Sequence, residues 1–283
     1  MFVKKIIEER LSVNVLSVTP LSGGDINEVL HLKTSQGEYV VKCNSRESYP
    51  EMFAKEAKGL KLIFTHGFNT PYVVDTFTNG AHQFLILDYI STEKASKTFW
   101  IRFANQLSLL HQNSNEFFGL DDNNFIGSLP QNNQRSATWE EFFIQARLKP
   151  LIKISFDRGL LNRSHLDMFD SLFTKLKELI PIEHPALLHG DLWSGNILCG
   201  SNQQPVLIDP AVYYGHREVD ISMTRMFGGF DPVFLEYYND LYPLEKGWEN
   251  RIAIHNLYPN LVHLILFGRS YLGSIESLIK KFN

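Results

Sequence analysis

His189-Gly190-Asp191-Leu192-Trp193-Ser194-Gly195-Asn196, followed downstream by Ile208-Asp209-Pro210, decides how the rest of the chain is read. Between them, the apolar runs Ile197-Leu198-Cys199 and Val206-Leu207-Ile208 flank Gly200-Ser201-Asn202. That pattern predicts a β-hairpin, which would bring the oxygens of Asn196 and Asp209 back together at one end. Phosphoryl transfer needs a carboxylate to accept the acceptor hydroxyl's proton and oxygen ligands to hold Mg²⁺ against the phosphates. Asp191 suits the first task; Asn196 and Asp209 suit the second. An isolated His-Gly-Asp would be read as a turn with capping side chains. The octapeptide joined to a spaced aspartate is much harder to explain that way.

Working upstream, the first ninety residues are rich in β-formers. Strands are predicted over 13–18, 29–33, 39–43, 72–77 and 83–89, with turns at Ser35-Gln36-Gly37 and Asn79-Gly80. Pro50 opens a helix over 52–65, whose Phe53, Leu60 and Ile63 recur at helical spacing. Ser22-Gly23-Gly24 lies between two strands. It reads either as a plain hairpin or as a turn whose backbone N–H groups approach phosphate oxygens unobstructed. Lys42 ends Val-Val-Lys, from where an ammonium could reach the α and β phosphates. Glu56, on the following helix, could pair with it. Alone, each is equally a solvated charge; in this order before the octapeptide, the functional reading dominates.

After Ile90 the character changes. Helices are predicted over 100–113, 139–148, 154–161 and 166–180, with more helix after the hairpin to the C-terminus. The polar stretch 116–136 is either a functional loop or mobile. The expected architecture is α+β and two-lobed: an antiparallel β lobe with one helix over 1–90, and a larger, mainly helical lobe over 91–283. The hinge falls near Asp88 to Glu93.

Bulk properties exclude several function classes. The chain has 283 residues, 44% apolar and 20% charged, with a formal net charge of −4, so nothing draws it to nucleic acid or an anionic membrane. Ile6, Ile7 and Leu11 recur at helical spacing beside Glu8, Glu9 and Arg10, an amphipathic helix and not a signal peptide. No stretch approaches the ~20 apolar residues of a membrane span. Cys43 and Cys199, the two cysteines, form no CxxC spacing and read as thiols in a reducing cytoplasm.

The motifs resemble those of the protein-kinase-like superfamily of small-molecule kinases, which includes the aminoglycoside and choline kinases. They most closely resemble the fructosamine kinase (ketosamine-3-kinase) family. The likeness rests on the octapeptide with its Trp193, on the run from Asp209 through Tyr213-Tyr214-Gly215-His216-Arg217-Glu218-Val219-Asp220, and on Gly23-Gly24-Asp25-Ile26-Asn27. Leu109-Leu110-His111, Asn123-Asn124-Phe125-Ile126-Gly127 and Trp139 with Arg147-Leu148 extend it nearly end to end. The resemblance implies ATP and Mg²⁺ as cofactors, Asp191 as proton acceptor, and Asn196 and Asp209 as metal ligands. It implies Lys42 with Glu56 as the phosphate-side ion pair, Gly23 and Gly24 in the phosphate loop, and Asp88-Tyr89-Ile90 as the hinge whose backbone reads adenine. The implied reaction is phosphorylation of the 3-hydroxyl of ketosamines, free or protein-bound, leading to deglycation. Where some members carry a cysteine in the glycine loop, this chain has Asp25, so redox control there is not expected. Beside a triphosphate Asp25 would be repelled, and it is expected to point away.

Weaker expectations surround this set. Trp193 either stacks on a sugar-like substrate or wedges the loop, and His216, Arg217 and Glu218 are expected to line the acceptor pocket. Tyr213 and Tyr214 read as packing groups. His189 reads as a packing and hydrogen-bonding post, and Asp220 as a brace for the catalytic loop. The alternative function is a kinase of the same fold acting on an aminoglycoside or amino alcohol. Choline-type pockets use aromatic cages, whereas the family-like Trp139 and Arg147 helix argues for a sugar-amine. A non-catalytic scaffold would have lost the base, a metal ligand or the lysine. A metal-dependent hydrolase would leave Lys42 and the glycine turn without a task and lacks a His-rich metal set.

Overall fold

The computed structural model of the chain describes residues 2–21 and 27–282. The expected phosphate-binding turn, with Gly23, Gly24 and Asp25, lies outside the described residues. Helix α1 (Phe2–Leu11) precedes strands β1 (Val15–Pro20), β2 (Glu28–Thr34) and β3 (Glu38–Ser45). Helix α2 (Met52–Thr65) follows, then β4 (Val73–Asn79) and β5 (His82–Asp88). The strands form one antiparallel sheet in the order β1-β2-β3-β5-β4.

Why Gln83 to Leu87 is apolar almost throughout follows from what covers the sheet. Successive side chains on a strand point to opposite faces. Phe84 and Ile86 pack with Val3, Ile6 and Ile7 of α1, whereas Leu85 and Leu87 pack with Met52, Phe53, Ala57 and Leu60 of α2. Fully burying one such side chain stabilises the fold by roughly 1.5–3 kcal/mol. The same alternation sets β3. Val41 and Cys43 face the α1 side, so Lys42 faces α2.

The remainder is largely helical. It contains α3 (Lys97–Gln112), β6 (Asn124–Ile126), β7 (Leu129–Gln131) and α4 (Trp139–Phe142). A π-helical turn, Phe143–Leu148, joins α4 to α5 (Lys149–Asp157), and α6 (Arg163–Leu179) follows. Then come β8 (Ala186–Leu188), the hairpin β9 (Ile197–Gly200) and β10 (Gln204–Leu207), β11 (Tyr213–Gly215) and α7 (Glu218–Thr224). Helices α8 (Pro232–Leu241), α9 (Trp248–His255), α10 (Leu257–Phe267) and α11 (Leu272–Ile279) complete it. Among the described residues no helix is long and apolar enough to cross a membrane.

Three local differences from the sequence reading matter for the site. Residues 116–136 contain an ordered hairpin, β6–β7, pinned by Asn124 Nδ2 donating to Val212 O (2.8 Å) and Gln131 Nε2 to Ala211 O (3.0 Å). Tyr213–Gly215, expected as helix, is a strand pairing with β8. The helix expected over 154–161 instead starts at Lys149, with Pro150 in its first turn, and ends before Gly159, whose φ is +65°.

Candidate active site

Strand β8 delivers the chain into His189-Gly190-Asp191, and β11 holds the segment after Asp209 against it. At Gly190 the backbone has φ +83°, and a Cβ there would collide with Ala211 O. Only glycine lets the two segments touch, through Ala211 N–H to His189 O at 2.9 Å. Asp220, at the start of α7, accepts from His189 N (2.8 Å) and Gly190 N (3.0 Å). It also meets His111 Nε2 at 3.2 Å. Asp220 is therefore a brace, as expected. His189 is buried too, its Nε2 donating to Ile208 O (2.9 Å) and its Nδ1 accepting from Asp191 N (3.2 Å). Burial lowers its pKa, against the pull of Asp220, so the ring is a neutral post between the two loops.

Asp191 lies at the floor of a cavity of about 490 Å³ together with Asn196, Asp209, Lys42 and Glu56. Desolvation raises the Asp191 carboxyl to about 7; the Asn196 hydrogen bond opposes this, while Asp209 and Asp220 add to it. The side-chain amide of Asn196 donates to Asp191 O (2.9 Å) and Asp191 Oδ2 (3.0 Å). Both protons are thereby fixed, and the Asn196 carbonyl oxygen is the group without a hydrogen bond among the described residues.

Glu56 recurs one helical turn from Met52 and Leu60, on the buried stripe of α2, which turns it inward. Its carboxylate meets Lys42 Nζ at 2.7 Å, and the same ammonium pairs with Asp209 Oδ1. Burial alone would lower the Lys42 pKa, but Asp209 and Glu56 outweigh it and the pKa rises, so the lysine is charged. Helix α2 also sits against the aspartate's own segment, since a Cβ on Gly59 would lie 3.2 Å from Val212 and 3.4 Å from Pro210. Asp209 has φ +55°, a left-handed conformation that an ordinary residue adopts only where its surroundings hold it.

The free oxygens of Asn196 and Asp209 face one cavity from the same open end of the β9–β10 hairpin, where Leu207 pairs with Ile197. Such an all-oxygen set with few protein ligands fits a hard divalent cation that keeps its remaining positions for phosphate and water. A second grouping, His216, Glu218 and His255, also lies within 4.8 Å and is buried. There Arg251 takes both Glu218 oxygens, at 2.8 and 2.5 Å, so a guanidinium already supplies the positive charge.

This last grouping corrects a sequence expectation. His216, Arg217 and Glu218 do not line the cavity; all three are buried in the fold away from its lining. Arg217 is paired with Glu183 at 2.9 Å and lies 3.7 Å over the Tyr242 ring. Trp139 and Arg147 are likewise core residues, so they do not argue for any acceptor. Arg147 sits 3.9 Å over the Tyr213 ring and donates to Asn133 Oδ1 at 2.7 Å. Trp193, by contrast, is 38% exposed on the cavity rim, its indole folded onto Gly195 so closely that a Cβ there would collide with it. Asp88 ends β5, and Tyr89 stacks on His31 at 3.8 Å. Ile90 is near Gly200; none of these three lines the cavity.

Phe125, from the motif on β6, adds to the cavity wall, as do Phe227, His263 and Phe267, which were not singled out in the sequence. The pair Gly228-Gly229, with φ +72° and +87°, marks the loop behind Phe227. A lone histidine in Leu261-Val262-His263-Leu264 was the available signal for α10.

The chain is similar to known proteins over nearly its whole length. A family model described as fructosamine kinase matches residues 2–283. A curated protein of Enterococcus faecium named "Probable ketoamine kinase" is 36% identical over 273 residues, covering 94% of this chain and 95% of its own. The chloroplastic protein-ribulosamine 3-kinase of Arabidopsis thaliana is 33% identical over 286 residues, covering 98% of this chain and 86% of its own. Among solved structures, a candidate fructosamine-3-kinase from Haemophilus somnus superposes with a TM-score of 0.88 at 28% identity, covering 99% and 96% of the two chains. A mutant aminoglycoside phosphotransferase in ternary complex with AMP-PNP and hygromycin B has a TM-score of 0.69 at 16% identity, covering 99% and 98%. That second likeness shows the two-lobed, kinase-like fold alone.

Proposed function

Because the chain belongs to the fructosamine kinase family, and is therefore a kinase that phosphorylates a hydroxyl, we propose that it transfers the γ-phosphate of ATP to the 3-hydroxyl of ketosamines. The observation that carries this reading is the meeting of Asp191, Asn196, Asp209 and the Lys42–Glu56 pair at one end of one cavity. Residues 1–90 are the nucleotide lobe in this reading, with adenine read by the backbone at Asp88, Tyr89 and Ile90. Residues 91–283 carry the catalytic loop and the acceptor. Two buried, unpaired thiols, Cys43 and Cys199, fit a reducing, cytoplasmic setting.

Asp191 accepts the proton of the C3 hydroxyl as its oxygen bonds to the γ-phosphorus; the bond to the β-bridging oxygen breaks and its electrons leave with ADP. A carboxylate held up near neutrality by desolvation is a better proton acceptor than an ordinary aspartate. Lys42, oriented by Glu56, positions the α and β phosphates. Asn196 and Asp209 would hold Mg²⁺, which supplies charge neutralisation at the phosphates. The product then breaks down without the enzyme. Loss of a proton from the amine-bearing C1 gives the enaminol, which expels phosphate from C3 with its bonding pair, and water hydrolyses the resulting imine to free the amine.

Supporting this acceptor over others are the activities for which the relatives are named, ketoamine kinase and ribulosamine 3-kinase. A screen of ADP release should give robust turnover with ribulosamines and fructosamines, ribulosamines the better, and little with aminoglycosides or choline. Strong turnover with an aminoglycoside or choline and none with any ketosamine would overturn the acceptor and leave the alternative small-molecule kinase.

A further inference from the structure

Helix α10 is apolar all round: one side is packed into the core and the other lines the cavity, with Pro259 and Val262 buried, His263 and Leu266 half-buried, and Phe267 at its end exposed. Leu257, Tyr258, Leu261, Leu264 and Ile265 are buried in the helical core. Pro259, Val262, His263, Leu266 and Phe267 recur at helical spacing on the face that lines the cavity, and Phe267 is 48% exposed. From the transfer site a continuous run of rings leads to that face. Trp193 meets Phe227 edge-on at 5.9 Å, and Phe227 meets His263 at 5.3 Å. His263 in turn packs against Tyr271 at 4.9 Å and Phe267 at 5.4 Å. An exposed apolar wall continuous with a reaction centre is the usual form of a ligand subsite.

The polar character of the wall is narrow. The part that α10 contributes has no carboxylate and no ammonium. His263 Nδ1 donates to Pro259 O at 2.6 Å, which fixes the tautomer, and burial lowers the ring's pKa against that bond. The neutral ring therefore presents Nε2 as a lone-pair acceptor, and among the described residues no donor engages it. A wall of π-systems with a single acceptor suits a group that is cationic, carries an N–H, and trails hydrocarbon.

We propose that His263, with Phe227 and Phe267, forms the specificity subsite for the amine-bearing arm of the acceptor: a protonated secondary amine on an aliphatic stem, as a lysine ε-amine supplies. This rests on the ketosamine reading above. With the C3 hydroxyl at Asp191, the C1 amine is two carbons away, and its stem runs outward along the rings. The amine N–H donates to His263 Nε2, its charge faces the rings, and the methylenes cover the Phe267 face.

The test compares two substrates: the ribulosamine adduct of Nα-acetyl-lysine, and 1-amino-1-deoxyribulose, which has the amine but no stem. The protein should prefer the lysine adduct in kcat/KM by on the order of tenfold or more. In His263→Leu and in Phe227→Ala that preference should collapse towards one, through KM for the armed substrate, while KM for ATP stays put. His263→Gln, which retains an acceptor, should keep most of it. Thermal melting accompanies each variant; if His263→Leu does not fold, the exposed Phe227→Ala decides. A preference undiminished in the folded variants, or absent from the unaltered protein, overturns the subsite alone. Failure of the unaltered protein to phosphorylate either compound removes the ketosamine reading and the subsite together.

Discussion

Asp191→Asn should lower kcat by roughly 10²–10⁴ while nucleotide affinity stays near that of the unaltered protein. The substitution keeps shape and can still accept from Asn196 Nδ2, which lies 3.0 Å from Asp191 Oδ2. What it removes is the ability to take a proton, in a group whose desolvated carboxyl sits at about 7. The Lys42–Glu56 pair is a separate set of contacts, so phosphate positioning is not touched. Steady-state turnover with titration of nucleotide binding separates the two effects. Turnover near the unaltered level would assign the base elsewhere. Asp209→Ala, in contrast, should impair metal-dependent nucleotide binding and turnover together.

Lys42→Ala and Glu56→Ala should each lower kcat/KM for ATP by on the order of 10²-fold, a loss of the size seen when a positioned charge is removed from a water-excluded site. The double variant should lose clearly less than the product of the two, because residues in one ion-pair network couple by about 0.5–3 kcal/mol. The reason is geometric. One ammonium holds both Glu56 and Asp209, so without Glu56 it collapses onto the aspartate, and without Lys42 the glutamate has nothing left to orient. Losses that simply multiply would remove Glu56 from the site.

What the sequence disclosed, and what it concealed, follows from where the stabilising interactions lie. The β-sheet was legible because Val-Val-Lys and Phe-Leu-Ile-Leu are strand-formers whose pairing is mostly between neighbours in the chain. Helix α2 was legible from its spacing, and its bounds are those read from the sequence. The β6–β7 hairpin was not, because it is held by amide side chains reaching Ala211 and Val212, contacts far away in sequence that no periodicity encodes. Strands β8 and β11 are three residues each and pair across an intervening hairpin. The charged run His216-Arg217-Glu218 reads as surface or pocket because ionised groups are rarely buried. Here Glu183 and Arg251 neutralise it inside the fold, and neither partner is near in sequence. Arg147 deceives in the same way, its charge spread over aromatic faces in the core. His263 is concealed by its own surroundings, since an apolar helix with one histidine looks like core from sequence alone.

The most direct measurement of the central claim follows one reaction after the enzyme is gone. The ribulosamine of Nα-acetyl-lysine is incubated with ATP and Mg²⁺ until ADP release stops, and the protein is then removed by filtration. One ADP per ketosamine is expected at that point. Inorganic phosphate and free Nα-acetyl-lysine should then appear together in the filtrate, at a rate unaffected by how much enzyme was used. A stable phosphorylated product that releases neither, or amine release that stops when the protein is removed, would contradict phosphorylation at C3.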